Sequence, residues 1–408
     1  MLNILKKIFL IIFLVLLLVQ IPFIYRRYQF GLLKQKINVS QSERVVPAEN
    51  NYRDYKGVIH VHSSLGGHST GQFDELVTAA KSNGLDFVIM TEHPSENFDT
   101  SASTLKGVQQ GVLFVGGNEL STADGDRFLL MPGSEKAFAE GFAKTPDFLA
   151  EEKAQGKLAF ITYPEKFRSW NSDYDGVEVF NLHTNAKRMN PLWFALDAFW
   201  SFGSSPELVV ANYFQRPDAE LKKFDELTQQ KRLSLFAGSD AHSNIGAGLD
   251  TNTGDRLFGL KFDPYAAIFS LVRTHVLLGK NETLTQDNLL KALKNGNCYI
   301  GFDVLGDTAG FSFTAANSSS GAEQKTMPKI IGEEMTLTEN TTLSVTVPLK
   351  ARIAVFRDGG DPEYFSDETT LTYPVKNKGI YRVEVYLDSL GPPFDKTPWI
   401  ISNPIYVR

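Results

Sequence analysis

Between Val58 and His93 the chain carries His60, His62, His68 and His93, four of its seven histidines. Neutral imidazole ligates zinc and similar ions, so this concentration is the signature of a metal site. His60 and His62 stand two apart in VIHVH, a strand-like run whose pleat turns both side chains to one face, where they can grip one ion. The same spacing recurs at Asp240 and His242 in AGSDAH. Glu119 follows VLFVGGN and His183 follows GVEVFNL. A carboxylate such as Glu119 can bridge two ions by giving one oxygen to each. A lone histidine is more often a satisfied core group, but two such pairs and an isolated acid at successive strand ends are not a chance pattern.

The elements that position these groups alternate in the sequence. YKGVIHV reads as a strand, FDELVTAAKSNG as an amphipathic helix stopped at Gly84, and LDFVIMTEH as the next strand. VLFVGGNEL, RFLLM, LAFITYP, GVEVFN, RLSLFAGSDAH and THVLLG are further strands, while FLAEEKAQG, PDAELKKFDELTQQK and TQDNLLKALKNG are helices. Strands apolar on both faces and separated by helices predict a parallel sheet, and this many units predict its closure into a barrel. The histidines and acids fall at or just past strand ends, the face on which sites form in such barrels. After about Val304 the texture changes to alternating β-rich runs divided by Gly, Asn, Asp and Pro, which predicts an all-β sandwich. It contains no histidine, so the chemistry is assigned to the barrel.

A chain of 408 residues with 42% hydrophobic content has room for two folded units. The net charge of -6 gives no general attraction to polyanions, so no nucleic-acid partner is expected. The lone cysteine, Cys298, excludes an intrachain disulfide and a thiolate cluster, and any metal must use histidine and carboxylate. Cys298 reads as a buried small side chain, and His275 in RTHVLLG as structural. At the amino terminus an apolar run from Ile8 to Ile24 lies between Lys6-Lys7 and Arg26-Arg27, with Tyr25 and Tyr28 suited to an interface. Without a small-residue cleavage site it reads as an uncleaved signal anchor, with the rest of the chain exported. The expected layout is an anchor over 1–30, a linker over 31–51, a barrel over 52–304 and the sandwich over 305–408.

These motifs resemble those of the PHP (polymerase and histidinol phosphatase) superfamily over roughly Tyr52 to Asp303. The resemblance implies a distorted (β/α)7 barrel holding two or three divalent ions, such as Zn, Mn or Fe. It implies that His60, His62, Asp240 and bridging Glu119 hold the first ion, and that His68, His93 and His242 hold the second. A third would share Glu119 and use His183, but Tyr163 stands before Pro164 where the family usually has histidine. Tyr163 could ligate as a phenolate, bond to a metal water, or leave that position weak. Glu92, where Asp is commoner, is expected to support the ligands from behind or to face outward, and not to ligate. The run YRVEVYL and the terminal WIISNPIYV resemble exported or membrane-anchored members related to carbaryl hydrolases, which cleave a carbamate ester.

Paired ions lower the pKa of a shared water and polarise the scissile bond, so the leading expectation is hydrolysis of a small-molecule phosphoester by a metal-bridging hydroxide. Glu119 would hold the ions together, and Asp240 or His242 would move the proton. The rival readings are a carboxyl- or carbamate-ester hydrolase and a non-catalytic, membrane-tethered metalloprotein. Lys187, Arg188 and Arg216 follow barrel strands, but surface charge is their commoner explanation.

Overall fold

The computed structural model describes residues 2–45, 51–134, 143–244, 246–250, 256–261, 263–317 and 327–408. Seven strands close a barrel: β1 (Tyr52–Val61), β2 (Phe87–Glu92), then, after the short β3 (Gly107–Gln109), β4 (Val112–Ser121), β5 (Arg127–Met131), β6 (Leu158–Ile161), β7 (Gly176–Asn181) and β8 (Ser234–Ala241). β1 pairs in parallel with β2 and with β8, which completes the ring. Their β-branched and aromatic runs are buried along their length, as a sheet covered on both faces requires.

The barrel is a mixed sheet, which corrects the all-parallel expectation. β5 runs antiparallel to both β4 and β6. Only five residues, Thr122 to Asp126, join β4 to β5, enough for a hairpin but not for a crossover helix. Elsewhere the expected helices lie between strands, Phe73–Ser82 after β1 and Asp218–Thr228 before β8.

The carboxyl-terminal all-β part is hydrogen-bonded to the barrel through one ladder. The first half of β1 pairs with β9 (Arg273–Gly279), β9 with β10 (Cys298–Gly301), and β10 with the strand Ile400–Ser402 near the carboxyl terminus. Trp399, fully buried, donates from its indole N–H to the Gly306 carbonyl at 2.6 Å. Arg382 and Arg216 clamp Asp225 and Glu384 across the same junction. His275 sits there too, between Asp54 at 2.9 Å and Asp303 at 3.3 Å, with Tyr299 stacked on its ring. Its structural role is as expected, although its acidic partners are distant in sequence. Cys298 is buried, and burial raises its thiol to about 12.

Leu2–Ser42 form one helix, α1. The segment after Gly31, expected to be irregular, is therefore helical as far as Ser42, and residues 46–50 of that linker lie outside the described residues. Phe23, Phe30, Leu33 and Ile37 recur in steps of seven, three and four, and these residues pack inward. From Ile8 to Val19 every side chain is exposed, and α1 is long and apolar enough to cross a membrane, a property shared by signal sequences.

Candidate metal centre

The site is built where strand backbones leave regular geometry. His60 has a φ of 66° and Asp240 a φ of 47°, and the ladders of β1 with β2 and β8 shift register at this point. His60 and His62 thus converge through a bulge and not by simple alternation, their rings 5.1 Å apart. A left-handed conformation at two non-glycine residues stores strain, and such strain is tolerated where packing overrides it at functional sites.

Two groups of donor atoms result, each lying within 4.8 Å of one another: His60, His62, Glu119 and Asp240, and His62, His93 and His242. His62 belongs to both. Its ring stacks between those of His93 and His242, 4.4 and 4.3 Å away. The Oε2 atom of Glu119 lies 3.2 Å from Nε2 of His60, 3.4 Å from Nε2 of His62 and 3.6 Å from Nδ1 of His93. Its Oε1 accepts from Arg127 at 3.2 Å.

His68 and His183 stand apart from both groups. His68 lies on the exposed loop beyond the turn Ser64–Gly66 and meets His93 edge-on, its backbone carbonyl accepting from Asn244. His183 is the second residue of the short helix Leu182–Lys187, with its ring 6.4 Å from that of His242. Both line the cleft above the buried groups. Loop and helix positions escape the two-residue rule that made the strand pairs legible.

Tyr163 also has a left-handed backbone, with a φ of 51°, and its hydroxyl donates to Oδ2 of Asp240 at 2.8 Å. Burial, Asp240, Glu119 and Glu178 all push its ionisation well above that of an ordinary phenol. The hydroxyl is placed to orient Asp240.

Glu178 was missed in the sequence, where it reads as one more residue of the strand GVEVFN. It is buried on β7 and faces Nδ1 of His60 at 2.7 Å, while Asn181 donates to its other oxygen at 3.0 Å. This fixes the ring so that Nε2 faces Glu119 and Asp240, the usual support for a ligating histidine. Gly238 makes room, since a Cβ there would stand 1.5 Å from Oε1 of Glu178. Glu92 is buried and accepts from the Ser63 hydroxyl at 2.6 Å, the Ser63 amide at 3.0 Å and Thr104 at 2.8 Å, which pins the chain just after His62.

Charge follows from these contacts. Burial opposes an imidazolium at His60, but Glu178, Asp240 and Glu119 outweigh it and raise its pKa well above 6.5. Burial lowers His62 to about 4 and His93 to about 3, with neighbouring imidazoles adding to both shifts. Burial would raise Glu119, yet His60 and His62 hold it at about 2, and His60, His62 and His242 keep Asp240 well below the carboxylate range despite its burial. The carboxylates are anionic at neutral pH, and His62 and His93 keep free lone pairs.

The donor set fits a divalent cation. Both ring nitrogens of His62 and Oδ1 of Asp240 are buried and have no hydrogen-bond partner among the described residues, a cost of about 1–3 kcal/mol for each such group that a cation removes. All donors are nitrogen or carboxylate oxygen, the set that suits zinc, manganese or iron.

No family model and no curated protein matches the chain. Among solved structures it is similar to a two-domain protein from Bacteroides vulgatus containing a predicted PHP-like metal-dependent phosphoesterase, at 14% identity and a TM-score of 0.40, over 88% of this chain and 98% of that one. It is also similar to PsfC from Pseudomonas syringae, at 16% identity and a TM-score of 0.37, over 63% of this chain and 94% of that one.

The cleft above the donor groups has a volume of about 540 Å³. Arg127, Lys166 and Lys187 line it. Arg127 and Lys166 lie over the Tyr163 ring at 5.4 and 5.5 Å, a placement that no local motif signals. Of the cations noted in the sequence, Arg188 is paired with Glu220 and Arg216 with Glu384, so both are structural, and Lys187 alone reaches the cleft.

Proposed function

We propose that this chain is a metal-dependent phosphoesterase of the PHP type, anchored to a membrane by α1. The observation that carries the metal chemistry is the pair of donor groups sharing His62, with one oxygen of Glu119 facing His60, His62 and His93. His60, His62, Glu119 and Asp240 would hold one ion, and His93 and His242, with His62 between the two groups, a second. When bound, the ions would supply Lewis acidity toward the ester and bring the pKa of a water near neutrality.

The chain's own groups do the rest. Glu178 fixes the His60 ring, Tyr163 and Asn181 orient Asp240, and Arg127 steadies Glu119. The Asp240 carbonyl, 2.9 Å from Nδ1 of His242, fixes the ring of His242 so that its other nitrogen is free for the second ion. Arg127, Lys166 and Lys187 give the cleft a cationic rim, which favours an anionic ester over the neutral carboxyl or carbamate ester.

Two contacts support an anchor retained in the mature chain. Arg26 of α1 pairs with the fully buried Asp197, and Phe30 and Leu33 enter the main core. Cleavage after Arg26 would leave a buried carboxylate without its cation, a costly state.

The test is turnover by the full-length, detergent-solubilised protein loaded with Zn, Mn or Fe, on p-nitrophenyl phosphate, bis-p-nitrophenyl phosphate and p-nitrophenyl acetate. Phosphoester turnover lost on chelation is expected. Acetate hydrolysis without either phosphoester activity would refute the phosphoester reading.

A further inference from the structure

The helix Pro191–Ser201, PLWFALDAFWS, is built inside out for a water-soluble protein. Its polar side chains, Asp197 and Ser201, are fully buried, whereas Leu192, Trp193 and Phe199 are 66, 49 and 77% exposed. Leu192, Ala195 and Phe199 form its outer stripe at helical spacing, and Asp197 and Ser201 its inner one. A helix on a soluble surface does the reverse, because burying apolar area is what holds it there.

Its position indicates what covers the apolar stripe. The helix packs on the turns of α1 where the apolar run from Ile8 to Ile24 ends: Trp193 stacks on Phe23 at 5.5 Å, Trp200 donates to Gln20 at 2.9 Å, Arg27 donates to the Trp200 carbonyl at 3.0 Å, and Arg26 pairs with Asp197. Tyr25, Arg26, Arg27 and Tyr28 are the residue types found at a headgroup boundary. The exposed apolar surface of α1 thus continues onto the outer stripe at that level. Resting on the anchor reading above, the geometry points to a second membrane contact: Pro191–Ser201 is an interfacial helix that lies in the plane of the bilayer surface, its Leu192–Trp193–Phe199 face in lipid. Only Arg188, Met189 and Asn190 separate it from Leu182–Lys187, so Lys187 of the cleft stands within about 15 Å of its first residue along the chain. The docked helix holds the cleft beside the membrane.

The chain has four tryptophans, none in α1, which makes their fluorescence a depth gauge. Full-length protein is reconstituted in phosphatidylcholine vesicles carrying bromine at shallow or deep acyl positions. Trp399 is fully buried in the body and serves as the internal control. Shallow bromine is expected to quench the emission, and W193F is expected to remove at least half of that quenching. A second variant, L192E/F199E, is expected to weaken quenching while α1 still resists carbonate extraction. Quenching unchanged by W193F, or absent from protein that resists carbonate, overturns the interfacial helix and leaves the anchor standing. Extraction by carbonate overturns both. Efficient disulfide formation between copies bearing F199C would show that a second chain covers this face, which also overturns the lipid assignment. The hydrolase assay in detergent is independent of all these outcomes.

Discussion

Replacing Glu178 by glutamine separates support of the metal site from its ligands. Glu178 lies beneath the cleft, with Oε1 2.7 Å from Nδ1 of His60 and Oε2 accepting from Thr162 and Asn181. Glutamine keeps the shape but removes the charge, and with its carbonyl toward His60 it sets an amide N–H₂ against the Thr162 hydroxyl and Asn181 Nδ2, both of which now donate to one carboxylate oxygen. A hydrogen bond to a charged group contributes about 1.5–3 kcal/mol and a neutral one about 0.5–1.5, so about 1–2 kcal/mol of ring positioning is lost. At about 1.4 kcal/mol per decade this weakens the ion at the His60 group by roughly 5- to 30-fold, within the range of about 10–100 for loss of a partner to a ligating histidine. Competition with a chromophoric chelator, run on wild type and E178Q at equal pH, reads the change directly, and a melting curve without metal shows that the barrel is intact. Affinity unchanged within a factor of about two, with an unchanged melting temperature, would refute the claim that Glu178 orients His60 for an ion.

Further outcomes follow from the same geometry. Gly238→Ala puts a methyl group 1.5 Å from Glu178 Oε1, so it is expected to destabilise the fold by about 1–3 kcal/mol in urea unfolding and to weaken metal binding along with it. Tyr163→Phe removes the 2.8 Å bond to Asp240 without removing a ligand, so two ions per chain are expected by elemental analysis before and after, and a third ion lost in the variant would restore Tyr163 as a ligand. Burial disfavours the charged form of His275, but Asp54 and Asp303 raise its folded pKa to about 10, above the unfolded value of 6.5. Its contribution is therefore complete below about pH 6.5 and fades as pH rises toward 10, and the stability gap between wild type and His275→Gln in urea should shrink across that window. Lys166→Ala and Lys187→Ala are each expected to raise KM for an anionic ester with little change in kcat, because both cations line the cleft without touching the donor groups.

Much of this protein is legible in its sequence where one residue type and one local period suffice. Strand pairs at His60–His62 and Asp240–His242, the isolated Glu119 and the apolar run of α1 all announce themselves, because ligation needs particular side chains and a strand repeats every second residue. The tertiary structure alone decides the remainder. That His62 stands between His93 and His242 depends on backbone geometry at His60 that no period encodes. Glu178 and Gly238 gain meaning only when β7 and β8 lie side by side, and His275 finds its two acids across 221 and 28 residues of chain. The antiparallel β5 reflects a connection too short to cross the sheet, and the inverted helix Pro191–Ser201 becomes visible only when Asp197 is seen buried beneath Arg26. Sequence fixes which groups can do chemistry, while long-range packing fixes which of them meet.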